Sequence, residues 1–397
     1  MHYPRSRRIA SWAYQQLNRL LFRLDVRDTQ VGLKLFSRRV VDEVMPLLLV
    51  KQFAFDLELL AVATSRGYDR IRELPIHLQY RFSGSGVGSF AVLGALFDTA
   101  AIFYRLRLLR TYERKHQLLR GSAPESFPRV TVLGDAAAAS LLDYPGIAAG
   151  GDLVAVLARN ARPAGNWVTA AVPFFVDPDV AAVVVPTVAP IRGPLGTRVA
   201  AAVLESRLGG GSRRSLYLPG NVREVSDHPA ETVVMRREDH QAALAEGVDD
   251  ERLVAWLAER GRRTIYTPDT SVSAVPSPFV RPHLRDTFRH ARARGAAARH
   301  TRGGSLSGAT ALSLVPLTVA VAGGLLVLTE GATSALGVGL ISAYVAALAV
   351  SGVHAAVRFR SPAVGALEPP AVIASQVAYV CGFVRGLSER RHDARSS

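Results

Sequence analysis

The sequence predicts an α/β protein followed by C-terminal transmembrane helices, and three observations carry that expectation. RVTVLG opens a strand, and GDLVAVLARNARPAGNWVTAAVPFFVDPDVAAVVVP then reads as strand, loop, helix, strand, the alternation of an α/β chain. Residues 303–329 and 331–357 contain no Asp, Glu, Lys or Arg, and about 20 apolar residues suffice to cross a bilayer. Arginines flank this pair, in RPHLRDTFRHARARGAAARHTR before it and RFR after it, whereas the link at Glu330 has no Lys or Arg. The positive-inside rule therefore predicts two spans, about 305–329 and 333–357, with both flanks in the cytoplasm. A further apolar stretch begins at Pro369 and runs uncharged only to residue 384 before RGLSERRHDAR. A full crossing would carry those arginines outside, so a shallow or interfacial helix is expected over 369–387.

Composition narrows the partner. The 397 residues carry 48 Lys and Arg against 33 Asp and Glu, a formal charge of +15, which favours an anionic partner. No Cys/His zinc pattern, RRM-like aromatic motif or long Lys run points to nucleic acid. The arginines instead cluster beside apolar segments, as at a membrane surface. One cysteine, Cys381, leaves no intramolecular disulfide and no Cys-rich metal site. MHYPRSRRIASWAYQQ lacks an apolar h-region and a cleavage site, so no signal peptide is expected.

In the first 125 residues, RRIASWAYQQLNRLLFRL reads as a basic helix with Ile9, Trp12, Leu17, Leu20, Leu21 and Leu24 on or near one face. It suits either a membrane interface or packing on a core. FAFDLELLAVATSRG reads as an apolar helix stopped by Gly67, and YDRIRELPIHLQY as a strand-like run interrupted by Pro75. A break at RGSAPESFPR reads as a linker. DTQVGLKLF, FAFDLELL, SRGY and ELPIHLQYRFSGSG together resemble, over residues 6–112, the C-terminal half of family 2 glycosyltransferases of the polyprenyl- or dolichyl-phosphate type. The resemblance implies a GT-A (Rossmann-like) fold, a nucleotide-sugar donor, a polyprenyl-phosphate acceptor, and a Mg²⁺ or Mn²⁺ ion on a DxD motif that screens the leaving diphosphate. It places Asp28, Gln30 and Lys34 at the sugar and acceptor region, Asp56 on the catalytic helix with Glu58 as a second candidate, and Arg81 on phosphate. The half that would carry the nucleotide-binding strands and the DxD is missing from this stretch, and so is the lysine expected after Arg81.

Residues 129–388 resemble a second type, the bacterial family 2 glycosyltransferases with C-terminal membrane helices, through GDLVAVL, ARPAGNWV, FVDPDVAAVVVP, ESRLGGGSRR, VDDERLVAWLAERG, RTIYTPDTSV, RPHLRDTFRHARARG and AYVCGFVRGL. Asp249 and Asp250 match that family's acidic pair, which implies Asp250 as the base that takes the acceptor proton. An acidic helix N-terminus explains the same residues equally well. The three acidic residues expected after GDLVAVL are replaced by Ala158, Arg159 and Asn160, so no metal ligands are expected and no cofactor is certain. LGGGSRR is not a Walker motif and reads as a flexible acceptor loop.

The expected organisation is thus two incomplete GT-A-like pieces, 1–125 and 126–302, and a membrane region, 303–388. Three readings remain open: a membrane-bound glycosyltransferase acting on a lipid-phosphate or cell-envelope acceptor; a non-catalytic membrane module that assists a partner glycosyltransferase; and a fragment of a longer fused enzyme.

Overall fold

A computed structural model describes residues 5–26, 29, 33–49, 54–74, 89–119, 127–158, 160–300 and 308–388. The chain divides into two compact units: Met1–Pro128 with Ala171–Ala181 and Asn221–Glu224, and Arg129–Ala170 with Ala182–Gly220 and Val225–Ser397.

The first unit is helical: α1 (Arg5–Phe22), α2 (Arg38–Val44), α3 (Phe55–Ser65), α4 (Ser89–Phe103), which runs into a π-helical turn at Tyr104–Leu108, and α5 (Thr111–Leu119). Its core gathers Phe22, Leu24 and Val26 with Leu57, Leu60, Ala61 and Ile102. Phe22 meets Phe103 edge to face at 6.3 Å. α3 ends as its sequence predicts. Gly67 has φ +89°, and the Gly67 and Tyr68 amides donate to Thr64 and Ala63 at 3.0 Å each, the paired bonds of a Schellman cap. Residues 68–74 form no strand, a correction to the strand-like reading. The remainder of that run lies outside the described residues.

From residue 129 the chain is α/β. Its elements are β1 (Val130–Leu133), α6 (Ala136–Ala139), β2 (Leu153–Val156), β3 (Arg162–Pro163), α7 (Trp167–Ala171), β4 (Val180–Val184), β5 (Thr187–Val188), α8 (Leu195–Glu205), α9 (Arg214–Tyr217), β6 (Arg223–Val225), β7 (Val233–Arg236), α10 (Arg237–Ala245), α11 (Leu253–Glu259), β8 (Arg263–Tyr266) and β9 (Val272–Ser273). Six strands form a mixed sheet in the order β1-β2-β7-β4-β8-β6, and β3-β9-β5 form a second, smaller sheet. β1 and β2 are parallel, while β7 runs antiparallel to both β2 and β4. β4, VAAVV, is buried at every residue, as an unbroken apolar run in a sheet covered on both faces must be. Arg237 ties the β1–β2–β7 edge, donating to the Gly151 carbonyl and, at 2.7 Å, to Thr131 Oγ1.

Four long helices follow: α12 (Arg281–His300), α13 (Gly308–Val327), α14 (Ala332–Arg358) and α15 (Pro362–Ser388). Two of them, α14 and α15, are long and apolar enough to cross a bilayer by length and composition. The third apolar stretch is therefore longer than its sequence suggested. It begins at Pro362, seven residues before 369, and takes Pro369 and Pro370 inside one 27-residue helix. Glu368, which reads as an interruption, is fully buried and accepts a 2.6 Å hydrogen bond from Ser351 of α14. α14 and α15 approach at Gly352 and Gly365, where a Cβ on Gly352 would stand 2.6 Å from the Gly365 carbonyl oxygen.

LGGGSRR is packed rather than flexible. It forms turns and a 3-10 helix, Gly211–Arg213, and a Cβ on Gly210 would stand 2.2 Å from the Leu204 carbonyl oxygen. Beside it, Glu205 at the end of α8 is buried and receives Arg358 of α14 through Nε at 3.1 Å and a second nitrogen at 3.2 Å. Burial raises the Glu205 pKa despite that partner, the sign of a pair whose desolvation is costly. Arg358→Ala should cost about 3–5 kcal/mol by stranding the carboxylate, whereas the double change Glu205→Leu, Arg358→Met should cost less than either single change. Thermal unfolding of the detergent-solubilised full chain checks the order.

Candidate functional site

In the first unit, α3 presents Asp56 and Glu58 in its first turn, and the two carboxylates have different fates. Asp56 meets Lys34 at 3.0 Å, partly open to solvent, so two of the residues singled out by sequence stand together. Glu58 is fully buried. Tyr112 donates to its Oε1 at 2.5 Å and the Leu49 amide to its Oε2 at 3.1 Å. Burial, then the Glu58 charge, pushes the Tyr112 hydroxyl far up. Glu58 is thus a strut between α3, α5 and the segment after α2. Asp28, Gln30 and Arg81 lie outside the described residues.

The second unit holds a cleft of about 400 Å³ lined by Ala158, Glu231, Asp249, Asp250 and Glu251. Three chain segments build it. β2 ends just before Ala158, whose amide donates to Thr232 Oγ1 at 3.3 Å. The Ala230 amide donates to the Asp250 carbonyl at 3.0 Å. The end of β2, the approach to β7 and the turn before α11 are thereby stitched together, and Glu231 is carried to the rim. Sequence reasoning did not single out Glu231. Its one signal is a carboxylate two residues before a buried strand.

The acidic pair splits in role. Asp249 Oδ1 accepts the Arg252 amide at 2.8 Å, closing the turn that leads into α11. Asp250 has no side-chain hydrogen bond among the described residues and faces the cleft. Its pKa is raised, by burial first and then by Asp249. Glu231 is raised by burial as well, reinforced by Asp250, Glu251 and Asp286 and opposed by Arg213. Glu251 is held below the ordinary glutamate range by His290, whose ring nitrogen stands 3.8 Å away. His290 is itself buried, and burial lowers its pKa. Two carboxylates pushed toward the neutral form beside one held ionised can divide acid and base roles within a single cleft.

The metal implied by the family resemblance does not fit this donor set. The end of β2 offers Ala158 and Asn160 in place of carboxylates, Arg159 lies outside the described residues, and no three His, Cys, Asp or Glu side chains among the described residues are grouped to hold an ion. Asp135, the other carboxylate near β1, caps α6 by accepting the Ala137 amide at 3.0 Å.

No family model matches the chain, and no curated protein sequence matches it.

Two measurements test this geometry. Carboxyl-carbon NMR of the full chain should show Asp250 titrating above the ordinary aspartate range. Asp249→Asn should return only part of the shift, because burial is the larger cause. Tyr112→Phe should destabilise the protein by about 1–3 kcal/mol, since it takes a hydrogen-bond donor away from a buried carboxylate. Chemical denaturation reads that loss.

Proposed function

We propose that this chain is a membrane-associated family 2 glycosyltransferase-like protein that moves a sugar from a nucleotide-sugar to a lipid-phosphate or cell-envelope acceptor. The observation that carries the reading is the cleft. Two motifs about 90 residues apart in the sequence, the end of the GDLVAVL strand and the Asp249–Asp250 pair, line one cavity, as a donor site and an acceptor base must in such an enzyme.

In the step proposed, an acceptor hydroxyl oxygen bonds to the anomeric carbon while the bond from that carbon to the nucleotide diphosphate breaks. The hydroxyl proton passes to Asp250, and the diphosphate leaves with the bonding electrons. A raised pKa suits a base that must hold the proton through the transfer. The leaving charge has no metal site to receive it, so the cation beside the cleft, Arg213, is the group assigned to it. Arg213 acts electrostatically on both Glu231 and Glu251.

Residence in a cell membrane, with several crossings and the remaining parts on the cytoplasmic side, rests on α14, on exposed apolar residues such as Leu325, Leu328, Val350 and Val353, and on the arginine flanks. The lost carboxylates after β2 favour a second reading, a non-catalytic membrane module beside an active transferase.

The two readings separate in one series of experiments. Calorimetry of the detergent-solubilised chain with uridine-, guanosine- and thymidine-diphosphate sugars should give heats that EDTA, Mg²⁺ and Mn²⁺ leave unchanged. Tight metal-dependent binding would overturn the assignment. Transfer to a membrane-extract acceptor should fall about 10²–10⁴-fold in Asp250→Asn. No binding and no transfer by the wild type selects the module reading.

A further inference from the structure

α4 reads SFAVLGALFDTAAIF, apolar apart from Ser89, Asp98 and Thr99. Such a helix is ordinarily buried on all sides or lies in a membrane. Here only one side is covered: Thr99 and Ile102 are buried, and Tyr14 of α1 hydrogen-bonds Thr99 at 2.9 Å. The opposite side is open. Phe97 is 74% exposed, Tyr104 51% and Leu108 63%, and with Ala100 they recur at three- and four-residue steps along α4 and the π-helical turn, one continuous stripe. At 15 residues, α4 is too short to span a bilayer.

The charges beside the stripe decide what covers it. Directly after α4 come Arg107, Arg110 and Arg114, all exposed, against Asp98 and Glu113 as the acidic residues from 97 to 119. A stripe of aromatic and leucine side chains bordered by arginines complements an anionic lipid surface, apolar groups entering the acyl boundary and guanidinium groups meeting headgroup phosphates. A soluble protein partner would need acidic groups at the same spacing.

We propose that α4 and the following π-helical turn form a second membrane contact in the first unit, lying flat in the interface of an anionic leaflet through Phe97, Tyr104 and Leu108 with Arg107 and Arg110 at its edge. The proposal does not depend on the transferase reading, because it concerns lipid contact alone.

The test uses the full chain with Cys381→Ser, in nanodiscs of phosphatidylcholine with phosphatidylglycerol and in nanodiscs of phosphatidylcholine alone. A nitroxide is placed in turn at Phe97→Cys, Tyr104→Cys and Leu108→Cys, with Leu244→Cys, 65% exposed on α10, as control. Each labelled protein is first required to be monodisperse. Power-saturation EPR should show the three stripe labels several-fold more accessible to oxygen than to a water-soluble nickel complex in the anionic discs, and the control the reverse. Arg107→Glu with Arg110→Glu should return the stripe labels toward the control. Stripe labels as open to nickel as the control would overturn the proposal. So would labels shielded from both reagents with spin–spin broadening, which would identify a second copy as the cover.

Discussion

Glu205 has almost no contact with water, and the architecture of the second unit follows from what it must do about that. A buried carboxylate needs a cation or a proton. It finds Arg358 at the C-terminal end of α14 and takes both nitrogens at once, the planar, two-point match that arginine makes and lysine does not. The pair joins the end of a helix in the α/β part to the end of one of the two 27-residue apolar helices. It also fixes the neighbours: Arg214 donates to the Glu205 carbonyl at 3.0 Å, so the chain must turn back immediately. That turn has room only for glycine at 210. Desolvation makes the pair a poor source of net stability. Its physical contribution is to register, since a shift of either helix would leave one charge buried alone.

The polar face of α15 extends the same logic. Gln376 donates to the Leu208 carbonyl at 3.0 Å and accepts from Tyr344 at 2.6 Å. Ser375 meets His283 of α12 at 3.0 Å. Burial holds His283 down to about 4, so its imidazole is neutral near pH 7 and can share a hydrogen bond with a serine without a counterion. His290, about two turns of α12 beyond His283, stands 3.8 Å from Glu251 of the acidic cleft. α12 thus contributes both to the helix packing and to the electrostatics of the cleft.

How much of this was legible in the sequence depends on whether the determinant was local. The Gly67 cap, the strand at GDLVAVL and the strand at VAAVVV follow from backbone conformation and apolar runs, and they appear where expected. The start of α15 was hidden because Pro362, Glu368, Pro369 and Pro370 read as breakers, and only partners distant in sequence, Ser351 and Ser206, make Glu368 acceptable inside. Glu58 reads as a functional carboxylate for the same reason in reverse: its partners, Tyr112 and the Leu49 amide, are 54 residues downstream and 9 upstream. The acidic pair was ambiguous in the sequence. Asp249 closes the turn before α11 through the Arg252 amide, and both Asp249 and Asp250 line the cleft.

Length and composition alone treat α14 and α15 as equals, but their surroundings do not. α12 runs parallel to the C-terminal half of α15, with His283 beside Ser375 and Gly295 against Phe383. The contact is close: a Cβ on Gly386 would stand 2.1 Å from the Arg292 carbonyl oxygen, and one on Gly382 2.4 Å from that of Phe288. α12 exposes Arg281, Arg285, Arg289 and Arg292 along this same length. Charged side chains at the bilayer centre cost about 2.5–3.5 kcal/mol each even on the mildest scale. The paired segment is therefore unlike a helix surrounded by hydrocarbon. What remains of α15, residues 362–374, covers about 20 Å at 1.5 Å per residue, short of the roughly 30 Å hydrocarbon core. Among the described residues α14 keeps Val345, Val350, Val353 and Val357 exposed along its outer face, an apolar surface of the kind hydrocarbon covers, whereas α15 turns its polar stripe toward protein.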